Sequence, residues 1–332
     1  MNIIRLVTFC VLVFIVAAAA HAQPNQDVQG VRTVEALTAL RDRNLDFFFS
    51  FPGVYGVGVR AGAIDVYIDK HLYADNTRLD LLMSSFRTRV GFATDLLNPI
   101  RIQEIQAFSS TAAAMGSSTS NTAGCFIGTL GVTAKRNGQI GYITCNHVAA
   151  AEENRICANV GNAKRQVSPA SGDQPHCKDG ARIGRLEETI PIHFSGNHKN
   201  YVDAAFVAQR GVGVHPLNRC GIVWTSTIVP AVQGMRVQKC GAATDLQEGD
   251  VWNPNAVIKV SYRCGMSTLF YDQIVIKGSG FSAAGDSGSV VFTKNGEVVG
   301  LLFAGEPDWT IVNPMQDVVD ELKVQLCPYP CR

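Results

Sequence analysis

The chain has almost no net charge: 29 Lys and Arg are set against 28 Asp and Glu in 332 residues, a formal net charge of +1. No run of basic residues interleaved with aromatics stands out from this balance, so neither nucleic acid nor a charged membrane surface is an expected partner. Beyond residue 22 no segment is long and apolar enough to cross a bilayer, which takes roughly 20 apolar residues. No Cys-x-x-Cys spacing occurs, so structural zinc is not expected. Internal repeats are lacking too.

What is present starts with Arg5, an apolar run from Leu6 to Ala20, and the small-residue stretch Ala20, His21, Ala22 before Gln23. A charged start, a short hydrophobic region and a small-residue cleavage site predict a signal peptide over 1–22. Export to a secreted or periplasmic location follows, with no membrane contact after cleavage. Of ten cysteines, nine remain once Cys10 leaves. That density after an export signal favours disulfides over metal or redox chemistry. Cys157 with Cys177, Cys240 with Cys264 and Cys327 with Cys331 are candidate local pairs, and Cys125 with Cys145 is a fourth. The odd count leaves at least one thiol free or intermolecular.

Residues 23–108 differ in texture from the rest. Val34, Leu37 and Leu40 fall at helical spacing, Val57 and Val59 alternate with glycines, and Ile64, Val66 and Ile68 alternate across Asp65 and Tyr67. A short helix, a hairpin and a second helix over Arg78–Arg87 make a small α+β module without cysteine. Residues 109–123 are Ser, Thr, Ala and Gly apart from Met115 and Asn121, a linker composition, with an ordered loop as the alternative. From 124 to 332 short β-rich runs recur: 126–133, 140–144, 202–208, 221–229, 256–262, 273–276, 289–293 and 298–303. A closing helix carries Met315, Val318, Val319 and Leu322. The whole is mainly β.

Three local patterns carry chemistry. His147 follows an apolar β-run ending in Thr144 and Cys145; Asp203 precedes the apolar run Ala204 to Val207; Ser287 stands in Gly285-Asp286-Ser287-Gly288. A serine hydroxyl is a poor nucleophile at neutral pH and needs an imidazole to take its proton and a carboxylate to hold that imidazole's tautomer. His71, His176, His193, His198 and His215 sit in loop-like polar settings, and His193 with His198 is not expected to be a metal pair. Asp173 and Asp179 compete with Asp203 but lie in a Gly- and Pro-containing stretch. No metal ligand set and no cofactor are expected.

In the order His, Asp, Ser, with Lys239-Cys240-Gly241-Ala242-Ala243-Thr244 before the nucleophile and Phe303-Ala304-Gly305 after it, residues 124–326 resemble the chymotrypsin-like serine peptidases, most nearly bacterial members typified by alpha-lytic protease. The resemblance implies a double β-barrel preceded by the small α+β module. It implies His147 as general base, Asp203 as its orienter, Ser287 as nucleophile, and the N–H groups of Gly285 and Ser287 as the oxyanion hole. It implies that Phe281, Phe303, Ala304 and Gly305 line the substrate pocket, and that Lys239 pairs with Asp286 to preform the oxyanion loop. With no Asp at 281, Lys or Arg preference is not indicated; a small or medium apolar side chain is expected. The module is expected to be a pro-region or an accessory element in contact with the cleft.

The expected function is a secreted serine endopeptidase acting on protein or peptide substrates through an acyl-enzyme. The alternatives are a serine esterase and a catalytically inactive binding protein of the same fold.

Overall fold

The computed structural model describes residues 33–51, 53–61, 63–68, 96–97, 113–121, 127–150, 165–168, 181–210, 214–262, 265–328 and 331. The expected signal peptide, the helix expected over Arg78–Arg87, and Cys125, Cys157, Cys177 and Cys264 lie outside them. No helix among the described residues is long and apolar enough to cross a membrane.

Two helices come first, α1 Val34–Arg43 and α2 Leu45–Phe49. The Thr33 hydroxyl accepts from Ala36 N and caps α1, with Glu35 in the first turn and Arg41 and Arg43 in the last, as the helix dipole favours. The hairpin β1 Val54–Arg60 and β2 Ala63–Ile68 follows, then β3 Leu96–Leu97, β4 Ala114–Met115, β5 Ser118–Asn121 and β6 Ile127–Thr129. Next are β7 Thr133–Arg136, β8 Gln139–Thr144, the one-turn helix α3 Asn146–Ala149, β9 Arg165–Ser168, β10 Ala181–Thr189, β11 Ala205–Gln209 and β12 His215–Asn218. The remainder is β13 Arg236–Gly241, β14 Asp245–Ser261, β15 Ser267–Lys277, β16 Val290–Thr293, β17 Val298–Glu306, β18 Trp309–Pro314, α4 Met315–Leu322 and β19 Gln325–Leu326.

Most strands pair antiparallel, in two large sheets. One has the order β13-β16-β17-β18-β15-β14-β1-β2-β3, and a further β13–β14 pairing closes its first six strands on themselves. The other runs β19-β7-β8-β11-β10-β9-β5-β6. Val237, Val251, Ile276, Phe281 and Leu302 form one apolar core cluster. A second joins the sheets, with Tyr142, Ile143 and Phe206 from one and Phe292, Leu301 and Phe303 from the other. Each such fully buried side chain contributes about 1.5–3 kcal/mol of burial free energy. The candidate site sits along this junction.

β14, 17 residues long, serves two neighbours. Its first part pairs with β13, and its later part pairs with β1 in the register Gly56↔Ile258 to Val59↔Asn255. The hairpin expected in the N-terminal module therefore belongs to the nine-stranded sheet, and Thr33–Arg332 form one compact unit. Polar contacts fasten it. The buried Asp65 accepts from Arg60 Nε (2.9 Å), Trp252 Nε1 (3.2 Å) and Asn253 Nδ2 (3.1 Å), and Arg41 Nη1 donates to Asn255 O at 2.8 Å. The partners Trp252, Asn253 and Asn255 all belong to β14.

Three expectations are corrected. The described part of the expected linker contains the fully buried strand β5. Small polar side chains tolerate that burial because they are bonded: Asn121 Nδ2 donates to Ala149 O at 2.6 Å, and Thr119 Oγ1 meets Tyr142 OH at 3.1 Å. Residues 221–229, expected as a strand, make only the isolated bridge Ile228↔Val298 and expose Val223. Among the cysteines, Cys327 pairs with Cys331 as expected, but Cys240 pairs with Cys220, whose Cα is 5.9 Å away, instead of Cys264. Cys145 is a buried free thiol and not a partner of Cys125.

Candidate active site

The β8–β11 ladder brings the first two residues together. Ala205 lies opposite Thr144, so Asp203, two residues before, reaches the start of α3, two residues after. His147 Nδ1 and Asp203 Oδ2 are 2.7 Å apart, and His147 N donates to Asp203 Oδ1 at 3.1 Å. Two more residues hold Asp203, one at its carboxylate and one at its backbone, and neither is marked in the sequence. Tyr262 OH donates to Oδ2 at 2.8 Å, and Asn313 Oδ1 accepts from Asp203 N at 3.0 Å. Asp203 is fully buried. Burial works to raise its pKa, but the charge of His147 and the donors from His147 and Tyr262 outweigh it and hold the carboxyl below its ordinary range.

Ser287 lies between β15 and β16, on a turn that Gly285 enters at φ +98°, in the left-handed region that favours glycine. Among the described residues none accepts a hydrogen bond from the backbone N–H of Gly285 or Ser287. Ser287 Oγ, 7% exposed with its residue, makes a long bond to Phe303 O at 3.4 Å. Thr129, from β6 in the other sheet, clamps the turn: its N donates to Ser287 O at 2.7 Å and its hydroxyl to Gly285 O at 2.8 Å. It too was absent from the sequence reading.

Asp286 is fully buried and saturated. Lys239 Nζ lies 2.9 Å from its Oδ2, so the expected ion pair is present. Thr244 Oγ1 (2.6 Å) and Ala283 N (3.0 Å) donate to Oδ2, and Ala243 N (2.9 Å) and Thr244 N (3.2 Å) to Oδ1. Lys239 Nζ also donates to Thr244 Oγ1. Burial pulls the Lys239 ammonium below its ordinary range, against the attraction of Asp286. A Cβ on Gly241 would stand 2.1 Å from Asp286 Oδ1, so only glycine fits beside this carboxylate.

A small cavity opens beside Ser287, lined by Ser282, Ala283, Ala284, Leu302, Ala304 and Gly305. Ala304 and Gly305 stand where expected. Phe281 and Phe303 do not line it: the first packs among Val237 and Ile276, the second on Phe270 with ring centroids 4.9 Å apart. Apolar rings beside two closed cores gain more from burial there than from a wet cleft. The volume is about 10 Å³, room for one water molecule.

Cys145, His147 and Asp203 place three donor atoms within 4.8 Å of one another, a spacing that also suits a metal ion. The thiol opposes that use. Burial, and then the charge of Asp203, push its pKa well up, and Cys145 Sγ donates to Leu302 O at 3.2 Å, whereas a metal takes the thiolate. The 2.7 Å bond between His147 Nδ1 and Asp203 Oδ2 already occupies those two atoms.

No family model matches the chain, and no curated protein matches it. Solved structures do, and they are chymotrypsin-like bacterial serine proteases. Thermobifida fusca protease A aligns with a TM-score of 0.45 at 18% identity, over 65% of this chain and 98% of that one. Nocardiopsis protease aligns with a TM-score of 0.45 at 18% identity, over 65% and 99%. The alpha-lytic protease homolog N4 aligns with a TM-score of 0.44 at 16% identity, over 65% and 99%.

Proposed function

We propose that this chain is an exported serine endopeptidase. The observation that carries the reading is the buried Asp203 bonded to His147 Nδ1 at 2.7 Å, with Ser287 on a turn where the N–H groups of Gly285 and Ser287 have no acceptor among the described residues. His147 Nε2 takes the proton of Ser287 as its oxygen attacks the scissile carbonyl, after a rotation of the hydroxyl away from Phe303 O. The N–H groups of Gly285 and Ser287 bind the developing oxyanion. His147 then protonates the leaving amine, and water repeats the sequence to free Ser287 from the acyl-enzyme. Asp203 holds the imidazole tautomer throughout and keeps its charge.

The narrow cavity favours a small side chain next to the scissile bond, such as alanine or serine, since the Ser282 and Thr310 hydroxyls, 2.6 Å apart, put a polar pair near its wall. The same narrowness favours, as a second reading, an inactive binding fold. The N-terminal hairpin acts as an accessory or pro-region element held on β14. Matched peptide amides and esters with alanine at the cleaved position decide among these readings. The endopeptidase cleaves both and loses both activities in Ser287→Ala, an esterase cleaves the ester alone, and a binding protein cleaves neither.

A further inference from the structure

Tyr262 closes the turn between β14 and β15: its N donates to Met266 O at 2.8 Å, and its carbonyl accepts from Gly265 N at 3.0 Å. Its ring is buried, perpendicular to Phe194 at 5.4 Å and tilted on Phe270 at 6.4 Å. A phenol among such rings needs an acceptor for its hydroxyl. The acceptor it has is Asp203 Oδ2, the oxygen that also faces His147 Nδ1.

We propose that Tyr262 is a positioning residue for the Asp203–His147 pair, acting through the shared oxygen Oδ2; this rests on reading His147, Asp203 and Ser287 as a triad. With His147 N on Oδ1, three donors fix the plane of the carboxylate and leave it no free rotation. The fixed plane aims the imidazole. The hydroxyl also draws charge from Oδ2, so the carboxylate stabilises the imidazolium less strongly than it would with His147 alone. Among the described residues, the other titratable group felt by Asp203 is the Cys145 thiol, which stays neutral.

Tyr262→Phe keeps the ring packing and removes the donor. The expected result is a melting temperature close to wild type, kcat lowered about tenfold with KM little changed, and the acidic limb of the kcat/KM profile moved up by about half a pH unit. A purely packing role would leave kcat and the limb as in wild type, and that result would overturn the proposal. So would a loss confined to KM and stability. If the wild-type protein turns over no peptide and takes no active-serine label, the triad reading fails first and the role of Tyr262 with it.

Discussion

Two carboxylates of the candidate site are fully buried, and the protein treats them differently. Asp286 is surrounded by fixed partners: a buried ammonium, a hydroxyl and three backbone N–H groups. Asp203 has one partner whose proton count changes during the proposed reaction, His147, and others that hold it in place. A charge that must stay constant to shape a turn is saturated; a charge that must answer to an imidazolium is oriented but left available. On the proposed reading the first carboxylate is architectural and the second chemical.

The largest expected effect breaks the chemical side. Asp203→Asn offers His147 a donor as well as an acceptor and frees the imidazole to take the wrong tautomer, so kcat should fall by about 10⁴ with a folded protein. Steady-state turnover with circular dichroism checks it. Next, Lys239→Met strands the Asp286 charge among neutral donors. Losing one partner of a buried pair costs about 3–5 kcal/mol, read as a lower urea midpoint. Lys239→Met with Asp286→Leu should regain part of that stability but not turnover, because the backbone bonds that hold the turn are gone. Thr129→Val removes two hydroxyl bonds, the one donated to Gly285 O and the one accepted from Ala242 N, leaves the N–H clamp, and should cost about 1–3 kcal/mol and some tenfold in kcat.

Acid sharpens the comparison further. The folded pKa of Asp203 is depressed below the ordinary carboxylate range, so its contribution to stability is complete above the unfolded value and is lost as pH falls through the lower folded value. The stability difference between wild type and Asp203→Asn should shrink below about pH 4. Smallest of all, Cys145→Ala removes a neutral thiol and should change stability by about 1 kcal/mol and turnover by less than about twofold.

The patterns that could be read from sequence were local. Gly285 to Gly288, the β-run into His147 and the strand after Asp203 each announce themselves within a few residues. Lys239 facing Asp286 came from the family pattern and stands in the fold. What escaped has no local mark. Tyr262 lies 59 positions from Asp203, Asn313 lies 110, and Thr129 lies 156 from Gly285; a single side chain reaching across two sheets leaves no periodicity. The rings of Phe281 and Phe303 are unmarked for a related reason: the direction of a ring is decided by the cores behind it. The strand β5 was hidden because its Ser, Thr and Asn side chains look solvated until Tyr142 and Ala149 supply their partners.

The central claim is that Ser287, His147 and Asp203 form a working nucleophile. Intact-mass analysis after exposure to a fluorophosphonate tests it most directly, with Ser287→Ala alongside. The expected result is one phosphonyl adduct on the wild-type chain, mapped to Ser287, and none on the variant. A folded wild-type chain that takes no adduct, or an adduct that persists in Ser287→Ala, would contradict it.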